Sequence, residues 1–447
     1  MGISSSPGAN GMAKRFEPLV LVALGAAVAL GAGSLLLLAA VGALFVWMAA
    51  RMESRDFAAL SLGLLVAAPW QQIAVADQNP VYDPVMWAAL LLILVLVARR
   101  GFPRLDRCAL FDFGLVLIWA VLGILLGHGQ FGRSATWVLF WVLGFGVFVL
   151  LSVRDALRRV IQNCWWVGAA LGAYAIVEWM LKDNVLFGNL IQGLWAPSFY
   201  ASATFRITAT LGHPIVAGAV FGFLLTLLAW AWTNGLLAPR LFAAGFIPCA
   251  AALVLTGDRG ALIVTVLALL VVIAVPGAYS RRRAALLLGL ILAFVVVVTV
   301  IPTTLESRFA DMSRDSSFLQ RTAGLTAAST VVAREPLWGM GAGYGDFALR
   351  DLGYIETNYE TEYAGLLIGL GIPGAVLVLG LPLVALFRSS GRRVRLAFSV
   401  APFAVYAIGI LGPSNMFDWW GGTILFWTAI GFVTMGDKLL GASPECK

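Results

Sequence analysis

The chain has 447 residues, of which 61% are hydrophobic and 12% charged, with a mean hydropathy of +0.91 and a formal net charge of +7. This composition excludes a soluble globular domain and a disordered chain, and it places the protein in the membrane class with no nucleic-acid partner. Two histidines, His128 and His213, and four singly placed cysteines exclude a multi-histidine metal centre and a disulfide framework, so neither a metal nor another cofactor is expected.

Strand-length segments of regular alternation are absent, so the expected fold is an all-α polytopic membrane protein rather than a barrel. The 48 glycines suit helices that pack closely in lipid. A polar tail, 1–16, comes first; its Met1-Gly2 and Ser6 fit a myristoylation pattern, but the stretch reads as a plain tail. The run at 17–33 reads as a span, not a cleaved signal. It is followed by 35–50, which ends at Arg51 and Arg55, and by 57–70 and 85–98, whose connecting loop has no Lys or Arg. The strongly basic stretch 99–107 leads to runs at 109–126 and 135–151, with only Arg133 between them. Arg154, Arg158 and Arg159 precede 160–181; the interval 182–209, holding Arg206, precedes 210–232. Runs at 241–257 and 260–277 are joined tightly through Gly257-Asp258-Arg259-Gly260, and Arg281, Arg282 and Arg283 introduce 284–301. A polar interval, 302–358, comes next. The run at 361–387 ends in a basic cluster from Arg388 to Arg395, and the last pair, 396–412 and 420–436, flanks a break holding Asn415 and Asp418.

The pattern predicts about 12–14 transmembrane helices with both termini on one side. That side carries twenty-one Lys and Arg and the other nine, so the positive-inside rule makes the termini cytoplasmic and turns the polar interval outward. The expected division is a tail at 1–16, membrane helices at 17–301, an outer loop with short helices at 302–358, membrane helices at 359–436 and a tail at 437–447.

Basic residues on the outer side run against the topological bias, which makes each a candidate functional residue. Arg259 lies at a turn too tight for a long loop, where a charge is costly unless it is paired or faces a polar cavity. Arg206 lies just before a span, where an interfacial anchor is the plain alternative. Arg321 falls near the start of a helix expected over 318–332. Guanidinium groups converging at a membrane boundary suit a phosphate or pyrophosphate, because they stay charged and fork onto two oxygens. The glycines of 338–347 do not make a nucleotide site, since no strand precedes them and no helix opens on them; a re-entering loop is expected. Glu360 and Glu362 stand where the polar interval enters a helix, placed either to benefit from its dipole or to take a proton from a sugar hydroxyl. Two residues apart, they point to different sides. His213, Tyr359, Tyr363, Asn415 and Asp418 are further candidates to line the cavity.

Taken in order, Arg206 with Gly212-His213-Pro214, Gly257-Asp258-Arg259-Gly260, Arg321 followed by Glu335-Pro336-Leu337-Trp338-Gly339-Met340-Gly341, and Tyr363 through Gly369-Leu370-Gly371-Ile372-Pro373-Gly374 resemble the O-antigen ligase and polymerase family over about residues 200–375. The resemblance implies a metal-independent inverting glycosyltransferase of membrane-embedded, GT-C-like architecture in a bacterial inner membrane. Its site would be periplasmic, its donor an undecaprenyl-pyrophosphate-linked glycan, and its acceptor a glycan or lipid A–core; a chain-length regulator is a further expected partner. It implies that Arg206, Arg259 and Arg321 hold the donor pyrophosphate, with Arg259 and Glu360 or Glu362 as the catalytic groups. The His-Asn pair that ligases carry at the helix after the loop is here Glu360-Thr361, and Ile215 replaces the Asn after His-Pro. These departures favour a polymerase of lipid-linked repeat units over a lipid A–core ligase. A flippase or transporter of lipid-linked sugars is the rival from another class; it would call for mid-span charges, of which Asp112 and Glu178 are the notable ones.

Overall fold

The computed structural model describes residues 53, 56, 107–153, 155–185, 205–275, 280–300, 316–345, 361–390, 394–413, 417 and 420–441. The four runs expected before residue 107 lie outside them. The described residues are mostly helical, with no strand among them: α1 Arg107–Leu125, α2 Phe131–Leu151, α3 Ala156–Leu181, α4 Pro214–Thr233, α5 Pro239–Leu255, α6 Arg259–Ala274, α7 Ser280–Val300, α8 Ser316–Arg334, α9 Glu362–Ser390, α10 Val394–Gly409 and α11 Trp420–Gly441. Among them α1 to α4 and α9 are long and apolar enough to cross a membrane, and α5, α6, α10 and α11 contain shorter apolar helices. The protein is an all-α polytopic membrane protein. Each expected run from 109 onward is a helix, and the helix expected within the polar interval is α8.

Local chemistry sets the helix ends. The run expected from 210 begins at Pro214, because proline fits the first helical position and His213 Nδ1 accepts from Ile215 N at 3.2 Å. α6 begins at Arg259 because Asp258 caps it, Oδ1 accepting from Gly260 N at 3.0 Å and Ala261 N at 3.2 Å.

α4 is the central element, and almost every residue along it is buried. It packs on α3, α5 and α6, while α10 and α11 close the bundle beside it. Glycines permit the close approach: a Cβ on Gly218 would stand 2.9 Å from Asp258 Oδ2, and one on Gly222 would be 3.0 Å from the Tyr406 hydroxyl. The interior is aromatic, with Trp141, Trp230, Trp427, Phe403 and Phe432 interlocking largely edge to face.

α9 is broken. Gly371 has φ 68° and ψ −174°, which is not helical, and Pro373 follows within the helix. Ile372 N, whose α-helical acceptor would be Ile368 O, donates instead to Pro336 O at 2.9 Å; Ile368 O accepts from Met340 N at 2.6 Å; Leu370 O accepts from the Trp119 indole at 3.0 Å. The glycine-rich segment after α8 therefore fills the break. It reaches residues about 9–15 Å along α9 from its start, at 1.5 Å per residue. Ser134 on α2 fastens it from the other side by donating to Ala342 O at 2.8 Å. Irregular backbone inside a membrane protein is tolerated where protein groups supply such partners.

Candidate active site

Because the helices alternate in direction, the N-termini of α4, α6 and α9 and the C-termini of α3, α5 and α10 share one end of the bundle. Three of the arginines singled out from the sequence lie there. Arg206 donates from Nε to Thr256 O at 2.7 Å, at the C-cap of α5. Arg259 is the first residue of α6, two positions beyond the positive-φ turn at Gly257 (φ 62°). Arg321, on α8, donates from Nη2 to Pro413 O at 3.0 Å. Pro413 in turn lies directly over Gly260, so a Cβ there would be 2.9 Å from Pro413 Cγ. Positions separated by more than two hundred residues thus meet around Thr256–Gly260 and Pro413.

Asp258 sits inside this group, 6% exposed. Its Oδ2 has no hydrogen-bond partner and lies against Gly218. Burial raises its pKa, opposed by its amide bonds and by the charges of Arg206 and Arg321. The carboxylate is used by the backbone of α6, not simply as a partner for its neighbour Arg259.

Glu362 and Tyr363 hold the other side of the loop that carries Pro413. Glu362 is 2% exposed; its amide donates to Leu411 O at 2.8 Å and its Oε2 accepts from Phe417 N at 2.8 Å. It also lines a small cleft with Trp137, Gly343, Gly365 and Gly369. The Tyr363 hydroxyl donates to Ile408 O at 2.7 Å. Residues 411–413 and Phe417 therefore form a strap between Glu362 and Arg321. His213 serves as the cap of α4, with burial and then Arg206 lowering its pKa to about 3, so it is a neutral group. Glu360, Tyr359, Asn415 and Asp418 lie outside the described residues.

The two carboxylates expected at mid-span lie instead near helix ends, Asp112 in the second turn of α1 and Glu178 in the last turn of α3, and both have protein partners. Asp112 accepts from both terminal nitrogens of Arg388, at 3.2 Å for Nη2 to Oδ1. Glu178 is fully buried and accepts from the segment before α4. Two functional contributors escaped the sequence reading, the carbonyls of Thr256 and Pro413. Pro413 carried a signal, a proline beside Gly412 at the start of the break that also holds Asn415 and Asp418.

Residues 244–379 match the family model described as O-Antigen ligase. This region is an O-antigen ligase family domain. It runs from α5 into the second half of α9, and so includes Asp258, Arg259, Arg321, the glycine-rich segment and the break in α9. Arg206, His213 and Pro413 belong to flanking segments that the fold brings to it. No curated protein matches the chain. The match and the apolar helices together make this a multi-pass membrane protein with an O-antigen ligase-type region.

Proposed function

We propose that the protein polymerises oligosaccharide repeat units carried on undecaprenyl pyrophosphate, at the periplasmic face of a bacterial inner membrane. The observation that carries this reading is the gathering of Arg206, Arg259 and Arg321 at one end of the bundle. In the reaction, a hydroxyl of the acceptor repeat unit attacks the anomeric carbon of the donor glycan. A new C–O bond forms, the bond to the lipid diphosphate breaks with inversion, and the hydroxyl proton passes to Glu360 or Glu362. The arginines stabilise the charge that develops on the departing diphosphate. Guanidinium groups supply that charge without a metal.

The test is the product formed by purified, reconstituted protein from lipid-linked repeat units. Longer chains support polymerisation. Arg259→Ala should abolish polymer while the protein remains folded and inserted, and normal chain lengths from that variant would remove the site. A second reading, transfer of the glycan to lipid A–core, is favoured by the description of the matching family as ligase. It is decided by the same assay with lipid A–core supplied as acceptor.

A further inference from the structure

Glu178 is a carboxylate buried in a helix otherwise apolar around it, and nothing in the reaction above uses it. Its oxygens are surrounded by donors from two places, Thr208–Ala209 and Asn184: Thr208 N at 2.9 Å and Thr208 Oγ1 at 3.0 Å on Oε1, Ala209 N at 2.7 Å on Oε2, and Asn184 Nδ2 at 3.5 Å on Oε1. Asn184 extends the network, donating to Thr208 Oγ1 at 3.0 Å and Ala209 O at 2.8 Å, and accepting from the Tyr174 hydroxyl at 2.5 Å. Ala209 is held at φ 50°, a conformation a non-glycine residue adopts only when its surroundings impose it. The other side of the same segment is tied to α5 through Ile207 N to Leu255 O at 3.3 Å and Arg206 Nε to Thr256 O. Arg206 is thus two residues from a clamp anchored in α3.

We propose that Glu178 is a positioning residue for the donor diphosphate, acting through Arg206. This rests on the reading of Arg206 as a diphosphate ligand. An acceptor with no proton is what the clamp requires, because every group facing the carboxylate is a donor. Glu178→Gln has nearly the same shape but turns an NH2 toward those donors, so the 205–209 segment shifts and Arg206 leaves its place. A buried carboxylate that served only general stability would have no reason to alter diphosphate binding through one particular arginine.

The test uses full-length protein in proteoliposomes, with inorganic pyrophosphate as the probe and its competition against polymer formation as the readout. Arg206→Ala should weaken pyrophosphate binding about ten- to a hundredfold, the range for loss of one charge-assisted contact. Glu178→Gln should weaken it by about tenfold with a smaller effect on the rate at saturating donor. The double variant should be no weaker than Arg206→Ala alone, since both losses pass through one guanidinium. Thr208→Val, which removes only the hydroxyl and leaves the amide bonds in place, should show a smaller loss in the same direction and keeps the test open if Glu178→Gln does not fold. Wild-type pyrophosphate affinity in Thr208→Val or in a folded Glu178→Gln, or losses that multiply in the double variant, would overturn the inference alone. Unchanged affinity in Arg206→Ala would overturn the diphosphate reading of Arg206 and the inference with it.

Discussion

Gly260→Ala separates two forces with opposite signs. Gly260 lies in the first turn of α6, where alanine is the better helix former by up to about 1 kcal/mol. Propensity alone therefore predicts a slightly more stable protein. In the fold, however, the added Cβ would overlap Pro413 Cβ and stand 2.9 Å from its Cγ and 3.3 Å from its Cα. Apolar carbons rest at about 3.5–4.0 Å, so Pro413 has to retreat by on the order of 1 Å. Overpacking of this kind costs about 1–3 kcal/mol, which outweighs the propensity gain. The catalytic consequence is larger, because Pro413 O receives Arg321 and the same strap receives Glu362 at Leu411 and Phe417. A displacement of about 1 Å at a positioning element lowers turnover by roughly a hundredfold. The measurement is polymer formed per unit time by reconstituted variant protein, beside its thermal denaturation midpoint. Gly114→Ala, where an added Cβ meets nothing within 4 Å, is the control for helix propensity. Wild-type turnover in Gly260→Ala would refute the argument that the strap and the start of α6 form one packed unit.

Asp258→Ala should lower stability by about 1 kcal/mol through loss of the α6 cap, whereas Asp258→Asn, which keeps a capping oxygen, should stay within about 0.5 kcal/mol; chemical denaturation of the two variants checks this. Gly341→Ala should be strongly destabilising, by about 2–4 kcal/mol: its φ is 105° and the new Cβ would lie 2.5 Å from Gly129 Cα and 2.8 Å from His128 O, backbone atoms that cannot rotate away. A denaturation midpoint equal to that of Gly114→Ala would contradict it. His213, whose pKa is lowered to about 3, stays uncharged in the folded protein while the unfolded chain takes up a proton below about pH 6.5, so stability falls with pH through that window. The loss amounts to about 2 kcal/mol at pH 5; His213→Asn, which retains a capping side chain, should not show it in melts at pH 7 and pH 5.

The sequence made the helices legible because hydropathy and charge bias act over twenty residues and survive tertiary detail. The arginine cluster was legible for a related reason. Arg206, Arg259 and Arg321 stood on the side that the positive-inside rule depletes, and such exceptions require a cause. Glu178 was not legible, since a mid-span carboxylate reads as a transport residue until its donors are known. Those donors, Thr208 and Ala209, are thirty residues away across an interval with no pattern of its own. The break in α9 was missed as well. The run at 361–387 is apolar from Ala364 onward, and Gly371 and Pro373 are compatible with a continuous kinked helix. What opens it is tertiary, the exchange of Ile368 and Ile372 backbone bonds with Met340 and Pro336. Of the proposed carboxylates, only Glu362 is placed, because Glu360 lies outside the described residues.

The geometry also bears on why arginine, and not lysine, stands at these positions. Arg206 and Arg321 each donate to a backbone carbonyl, at Thr256 and Pro413. A carbonyl fixes the plane of a guanidinium without cancelling its charge, whereas a carboxylate partner would do both. Asp258 is the carboxylate that acts on both arginines, and it is buried with Oδ1 committed to the amides of α6. The start of α6 adds the partial positive charge of its free amides, in the direction that favours an anion. Among the described residues, Arg206, Arg259 and Arg321 share this end of the bundle with the buried carboxyl groups of Asp258 and Glu362. A guanidinium keeps its charge when buried and offers parallel donors to a diphosphate, while an ammonium group gives a single point of contact on a flexible stem. On the proposed function, carbonyl clamping suits a site that must be rigid before the lipid diphosphate arrives and still charged when it does.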